Sequence, residues 1–144
     1  MTPFHVVIPG DPRGKGSVRV GRGFAYKDAK TENYMATCIL FARLAWRGRP
    51  AIAEPTSIQI VAVLRRPKSL IPKARARTPQ PPAGEFYAPA KPDLDNCAKS
   101  ILDSLVQAGV IVDDCRVVRL DVSKVYAAVG ADPEVRVSVA PVGP

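Results

Sequence analysis

The chain has 144 residues, about one domain, and its 47% apolar and 24% charged side chains are enough to bury a core, which argues against a disordered protein. A net charge of +8 and a pI near 9.8 favour a polyanionic partner, nucleic acid before an anionic membrane surface. No apolar run approaches the roughly 20 residues of a membrane span and no secretory leader pattern opens the sequence, so membrane and export functions have little support.

"FHVVIPG" reads as a β-branched first strand stopped by Pro9 and Gly10. In "GDPRGKGSVRVGRGFAYKD", the pieces "SVRV" and "FAY" predict a hairpin across "GRG". "AKTENYMATCILFARLAWRG" predicts a helix with Tyr34, Cys38, Phe41 and Ala45 on its apolar stripe, ended by Gly48 and Pro50. "TSIQIVAVLRR" sets Ile58, Ile60 and Ala62 against Gln59, Val61 and Val63, as a central strand would. The segment from Pro67 to Pro92 is too rich in proline for a helix or a central strand. Its first half, led by Arg65 and Arg66, carries Lys68, Lys73, Arg75 and Arg77 and no acid, which suits either a solvated tether or a phosphate-tracking arm. "DLDNCAKSILDSLVQAG" predicts a second helix with Leu94, Ala98, Ile101, Leu102 and Leu105 buried and Gly109 at its end. The turn "VIVDDC", a long strand "RVVRLDVSKVYA" and a closing strand "EVRVSVA" complete the chain. With no internal repeat, residues 1–144 are expected to form a single α+β domain. Its two main helices pack on one face of a small mixed sheet, and a proline-rich basic loop spans about 67–92.

The chemistry available is narrow. His5 is the only histidine and lies in the first strand, so imidazole catalysis has little material. The three cysteines, Cys38, Cys97 and Cys115, form no CxxC pair, which disfavours zinc and disulfides and fits a reducing cytoplasm. "GDPRGKGS" is not a phosphate-binding P-loop, because three residues separate Gly10 and Gly14 and Gly16 intervenes between Lys15 and Ser17. No nucleotide cofactor is expected. What remains is a basic loop with Arg13, Lys15, Arg19 and Arg22, suited to a sugar-phosphate backbone.

Carboxylates carry the rest. Asp93 and Asp95 stand one residue apart at the threshold of the second helix, with Lys99 and Asp103 following at helical spacing and Asp113 and Asp114 after the Gly109 turn. Capping explains one threshold aspartate but not the set. Clustered carboxylates repel unless a cation neutralises them, and hard Mg²⁺ takes oxygen from one or two carboxylates together with substrate phosphate. That combination supports phosphodiester hydrolysis, with the lysine offsetting developing charge and Lys91 facing the incoming phosphate. A helix of about 20 Å separates the two acidic ends, so spacing alone does not bring Asp113 or Asp114 to Asp93.

"KPDLDNCAKSILDSLVQAGVIVDDCRVV" resembles the signature of the RusA family of Holliday junction resolvases, phage-type members included: a D-x-D-N group, a lysine four residues after the second Asp, an L-D-x-L helix and a G-x-x-x-D-D turn. "IPGDPRGKGSVR" and the helix after it resemble the family's N-terminal half more loosely. The resemblance implies a homodimeric, Mg²⁺-dependent endodeoxyribonuclease, with Mn²⁺ able to substitute, that resolves four-way or other branched DNA by paired nicks. It assigns Asp93, Asp95 and Asp114 as catalytic metal ligands and Lys99 as the essential lysine. The Pro67–Pro89 loop is longer than in compact family members, which leaves the choice among branched substrates open. A restriction-type nuclease site is disfavoured because Cys97 and Val122 stand two residues before Lys99 and Lys124, where an acid is required. The alternative is a non-catalytic basic DNA-binding module whose aspartates are helix caps.

Overall fold

The computed structural model describes residues 3–14, 19–21, 24–26 and 29–143, with backbone alone for 19–21 and 24–26. Strand β1 (Phe4–Pro9) alternates buried Phe4, Val6 and Ile8 with exposed neighbours, the pattern of a strand with one covered face. Strands β2 (Arg19–Gly21) and β3 (Phe24–Tyr26) pair antiparallel as the expected hairpin. Helix α1 (Ala29–Trp46) follows, then β4 (Thr56–Leu64), β5 (Phe86–Tyr87), α2 (Leu94–Gln107), β6 (Val117–Tyr126) and β7 (Glu134–Pro141).

Five strands form one mixed sheet in the order β1-β7-β4-β6-β5. β4 is central, antiparallel to β7 and parallel to β6, and α2 is the crossover that parallel neighbours require. Ile58 and Ile60 of β4, Val135, Val137 and Val139 of β7 and the buried row of β1 meet Tyr34, Cys38, Ala42 and Trp46 of α1 and Ile101 and Leu105 of α2 in one core. The α+β architecture with both helices on one face is thus as expected.

Three local expectations shift. The most buried row of α1 is Tyr34, Cys38, Ala42 and Trp46, with Phe41 and Ala45 only flanking it, because Trp46 seats edge-on against Phe4 at 5.1 Å. Leu94 is exposed, and α2 instead buries Cys97, Ser100 and Ser104 beside Ala98, Ile101 and Leu105. The proline-rich segment contains a 3₁₀ turn at Lys68–Leu70 and the short strand β5, neither visible as a local pattern. β5 covers only the last two residues of β6, pairing Phe86 with Tyr126 and Tyr87 with Val125.

Both ends of α2 are anchored. Its C-terminus stops at Gly109, whose φ of 78° lies in the left-handed region that glycine adopts freely. Arg43 of α1 donates to the Gln107 carbonyl at 3.3 Å. Ile52 bridges the following turn through its N–H to Val110 O (2.9 Å) and its carbonyl from Val112 N–H (3.0 Å), fixing where Asp113 and Asp114 emerge.

Candidate active site

The threshold of α2 departs from an ordinary helix start. Asp93 occupies the N-cap position with extended backbone (φ −64°, ψ 148°), yet its side chain makes no capping hydrogen bond. Its Oδ1 instead accepts from Lys91 Nζ at 2.7 Å. That hydrogen bond and the lysine's charge hold the Asp93 carboxyl below the usual carboxylate range and raise the Lys91 ammonium in turn. Asp95 sits exposed in the first helical turn, the end where the helix dipole favours negative charge. Both carboxylates are exposed, and Asp93 makes no side-chain cap of the kind the alternative reading requires.

The backbone leading to Asp93 is clasped from the sheet. Lys124 of β6 donates to Ala90 O at 2.5 Å and Pro92 O at 3.0 Å, on either side of the cis Lys91–Pro92 peptide. Sequence reasoning missed this residue. Its signal was parity: Lys124 shares a side of β6 with Leu120, Val122 and Tyr126, facing α2, and a lysine on a core-facing row needs polar partners. Lys99 is exposed on α2, one turn beyond Asp95.

A second support comes from the N-terminal loop. Ser100 Oγ donates to Arg13 O at 3.1 Å, and the Tyr34 hydroxyl is hydrogen-bonded to the Arg13 backbone. Burial pushes the Tyr34 phenol far above its ordinary pKa, so it stays neutral. Gly14 lies so close to α2 that a Cβ there would fall 2.7 Å from Asn96 Cβ. Arg13 is thereby brought to α2. Lys15 and Arg22 lie outside the described residues, as does the side chain of Arg19.

Asp113 and Asp114 emerge at the other end of α2. The 14-residue helix spans about 21 Å. Asp113 caps the following 3₁₀ turn by accepting from Cys115 N–H at 3.1 Å, which lowers its carboxyl pKa. Asp114 is pushed up, first by its hydrogen bond with Asp113, then by desolvation and the charges of Asp113 and Asp103. Among the described residues no three acidic, histidine or cysteine side chains gather closely enough to hold a metal. Asp93 and Asp95 nevertheless form a pair of exposed hard-oxygen donors, a set that fits a divalent cation completed by water and phosphate.

Between α2 and β6 lies an open, mainly apolar groove lined by Leu94, Asp95, Ala98, Leu120 and Val122. Within it Leu120 is 43% exposed, although its pairing with Ile58 puts it on the helix-bearing side of the sheet, and Val118, at a break in the β4–β6 register, is 64% exposed.

Comparison with known proteins agrees with this arrangement. The family described as Endodeoxyribonuclease RusA matches residues 9–140. The chain is also 29% identical over 143 residues to the uncharacterized protein YqaN of Bacillus subtilis (strain 168), covering 96% of each chain. A D-x-D-N threshold on a clasped helix, in a basic chain matched from β1 to β7, shows that this protein belongs to the RusA family of endodeoxyribonucleases.

Proposed function

We propose that the protein is a Mg²⁺-dependent, structure-selective endodeoxyribonuclease that resolves four-way junctions or related branched DNA by paired nicks, acting as a homodimer in a reducing cytoplasm. The observation that carries this reading is the N-cap aspartate that does not cap: Asp93 is turned out beside exposed Asp95. Asp93 and Asp95 would hold Mg²⁺, or Mn²⁺ in its place. When bound, the ion activates water and neutralises charge developing on the phosphate and the leaving oxygen. Lys91, already paired with Asp93, is a cation at hand for an arriving phosphate. Lys99 offsets charge one turn on, and Lys124 keeps the threshold in place. Arg13, with Lys15, Arg19 and Arg22 from the same loop, tracks the backbone.

Asp114 is the third carboxylate, and the length of α2 keeps it from Asp93 within one chain. A second copy supplies it. The groove along α2 is mainly apolar, and β5 covers only Val125 and Tyr126 of the outer edge of β6. Two α2 helices laid antiparallel there set the N-terminal aspartates of each copy beside Asp114 of the other. Two such sites, related by symmetry, suit paired nicks.

Purified protein is incubated with synthetic four-way junctions, flaps and linear duplex, in Mg²⁺ or EDTA, alongside Asp95→Asn and Asp114→Asn. Branched DNA is cut only by the wild type with metal; undiminished cutting in EDTA or by Asp95→Asn overturns the metal assignment. Binding without cutting of any substrate favours the non-catalytic module. Mixing the two inactive variants regenerates one intact site per heterodimer and restores nicking. A mixture as inactive as its components refutes the shared site.

A further inference from the structure

We propose that the segment from Pro67 to Gly84 is a preformed basic arm that grips the sugar-phosphate backbone of DNA away from the cut, with Arg66 as the staple that holds its shape. The inference rests on the nuclease reading above and adds a second contact surface to it.

Arg66 is committed entirely to the protein. Its Nε donates to Ala127 O (2.9 Å), Nη1 to Leu70 O (2.9 Å) and Pro82 O (2.8 Å), and Nη2 to Ala83 O (3.3 Å) and Gly84 O (2.6 Å). The guanidinium also lies 5.0 Å from the Phe86 ring centroid. These carbonyls come from the near end of the segment, its far end and the end of β6, so one planar cation closes the loop onto the sheet. Val129 N–H donates to Ala83 O at 2.9 Å, and Leu70 and Phe86 pack on a small core of Ala62, Leu64, Ala88, Cys97 and Tyr126. A solvated tether has no need of such closure.

The tip has its own bonds. Lys73 N–H donates to Gln80 Oε1 at 3.0 Å, Gln80 Nε2 donates to Thr78 O at 3.1 Å, and Ala76 N–H closes a turn onto Lys73 O at 3.3 Å. What this frame displays is charge of one sign: Lys68, Lys73, Arg75 and Arg77 are exposed, and no acid occurs between Pro67 and Gly84. The next acid, Glu85, is committed to a two-pronged pair with Arg136, at 3.0 and 2.5 Å. The root of the arm joins the active site: Arg65 and Pro67 line the same crevice as Ala90, Lys91 and Pro92. DNA held at the α2 threshold therefore runs past the base of a rigid cationic projection. A polyanion with regularly spaced phosphates matches that display, and preorganisation spares the ordering that a flexible tail would lose on binding.

The test uses full-length protein in EDTA, carrying Asp95→Asn so that substrate is not cut, and four-way-junction DNA read by fluorescence anisotropy across salt concentrations. Lys73→Ala/Arg75→Ala/Arg77→Ala removes exposed side chains only. Its affinity falls at least tenfold and its salt slope drops by about 2 to 3, near 0.9 for each phosphate that is no longer neutralised. Arg66→Lys keeps the charge but cannot serve five carbonyls; its arm is cleaved faster by trypsin after Lys73, Arg75 and Arg77, and its affinity falls several-fold. Saturating DNA protects those three sites in protein with native Arg66. Unchanged affinity and slope in the triple variant, or no protection by DNA, overturns the arm. Undiminished affinity in an Arg66→Lys protein with a loosened arm overturns the staple. The wild type is assayed in parallel for Mg²⁺-dependent cutting: failure there removes the nuclease reading, whereas cutting with an indifferent arm removes only this inference.

Discussion

Replacing Lys124 with methionine keeps the length of the side chain and deletes its ammonium, which donates to Ala90 O and Pro92 O at 2.5 and 3.0 Å. Hydrogen bonds from a charged group contribute about 1.5–3 kcal/mol each. Both carbonyls belong to half-buried residues that water reaches in part, and the methionine stem refills the space, so the net loss is about 2–3 kcal/mol. For a chain of 144 residues this lowers Tm by roughly 6–12 °C. The catalytic effect exceeds the stability effect, because the released segment ends at Asp93. A displacement of about 1 Å at a positioning residue costs on the order of 100-fold in rate. Thermal unfolding gives the first quantity, and single-turnover cleavage of a four-way junction, well below the new Tm, gives the second. DNA affinity measured in EDTA changes little, since Lys124 is turned to the protein. A variant of unchanged Tm and a rate within about twofold of wild type refutes the clasp; lower stability with an intact rate confines Lys124 to folding.

Gly14→Ala places a Cβ 2.7 Å from Asn96 Cβ and forces the N-terminal loop off α2, so stability falls by about 1–3 kcal/mol and cleavage falls with it; an unaffected urea midpoint contradicts the close approach. Burial raises the Cys38 thiol to about 11 and also raises Cys97, while Cys115 is exposed, so brief iodoacetamide treatment of folded protein labels Cys115 by mass spectrometry and leaves the other two unmodified. The Glu85 carboxyl is lowered from its ordinary 4.5, chiefly by hydrogen bonding to Arg136. Its stabilisation is complete above 4.5 and disappears as pH falls through the lowered value. The urea-midpoint gap between wild type and Glu85→Gln, worth under about 1 kcal/mol for so exposed a pair, is therefore present at neutral pH and closes in acid; a gap that widens in acid reverses the sign.

The elements legible in the sequence were those with local periodicity or a local stop. β1 and β7 alternate cleanly, α1 and α2 carry apolar rows and end at glycines, and the proximity of Asp93 to Asp95 needs no tertiary information. What escaped depends on partners far along the chain. β5 is two residues long and exists because Phe86 and Tyr87 meet Tyr126 and Val125. Arg66 reads as one more cation of a basic stretch until Ala127, 61 residues on, accepts from it. Leu94 fits the apolar row of α2 but is exposed, while Ala98, Ile101 and Leu105 of that row are buried together with Cys97, Ser100 and Ser104. Small buried side chains there admit the Arg13 loop, a requirement set by a partner 87 residues distant in sequence.

The Arg66 closure also bears on how such a protein diversifies. Its ligands lie at Leu70 and from Pro82 to Gly84, so they fix the two ends of the loop and take no carbonyl from the chain between them. Residues 71–81 can lengthen, shorten or change sign without disturbing the sheet beneath, much as an antibody loop varies on a constant frame. Relatives that keep the arginine and its carbonyl ring can exchange this insert wholesale. Grafting another insert between the same anchor points is then a route to retuning which DNA is held while Asp93 and Asp95 stay where they are.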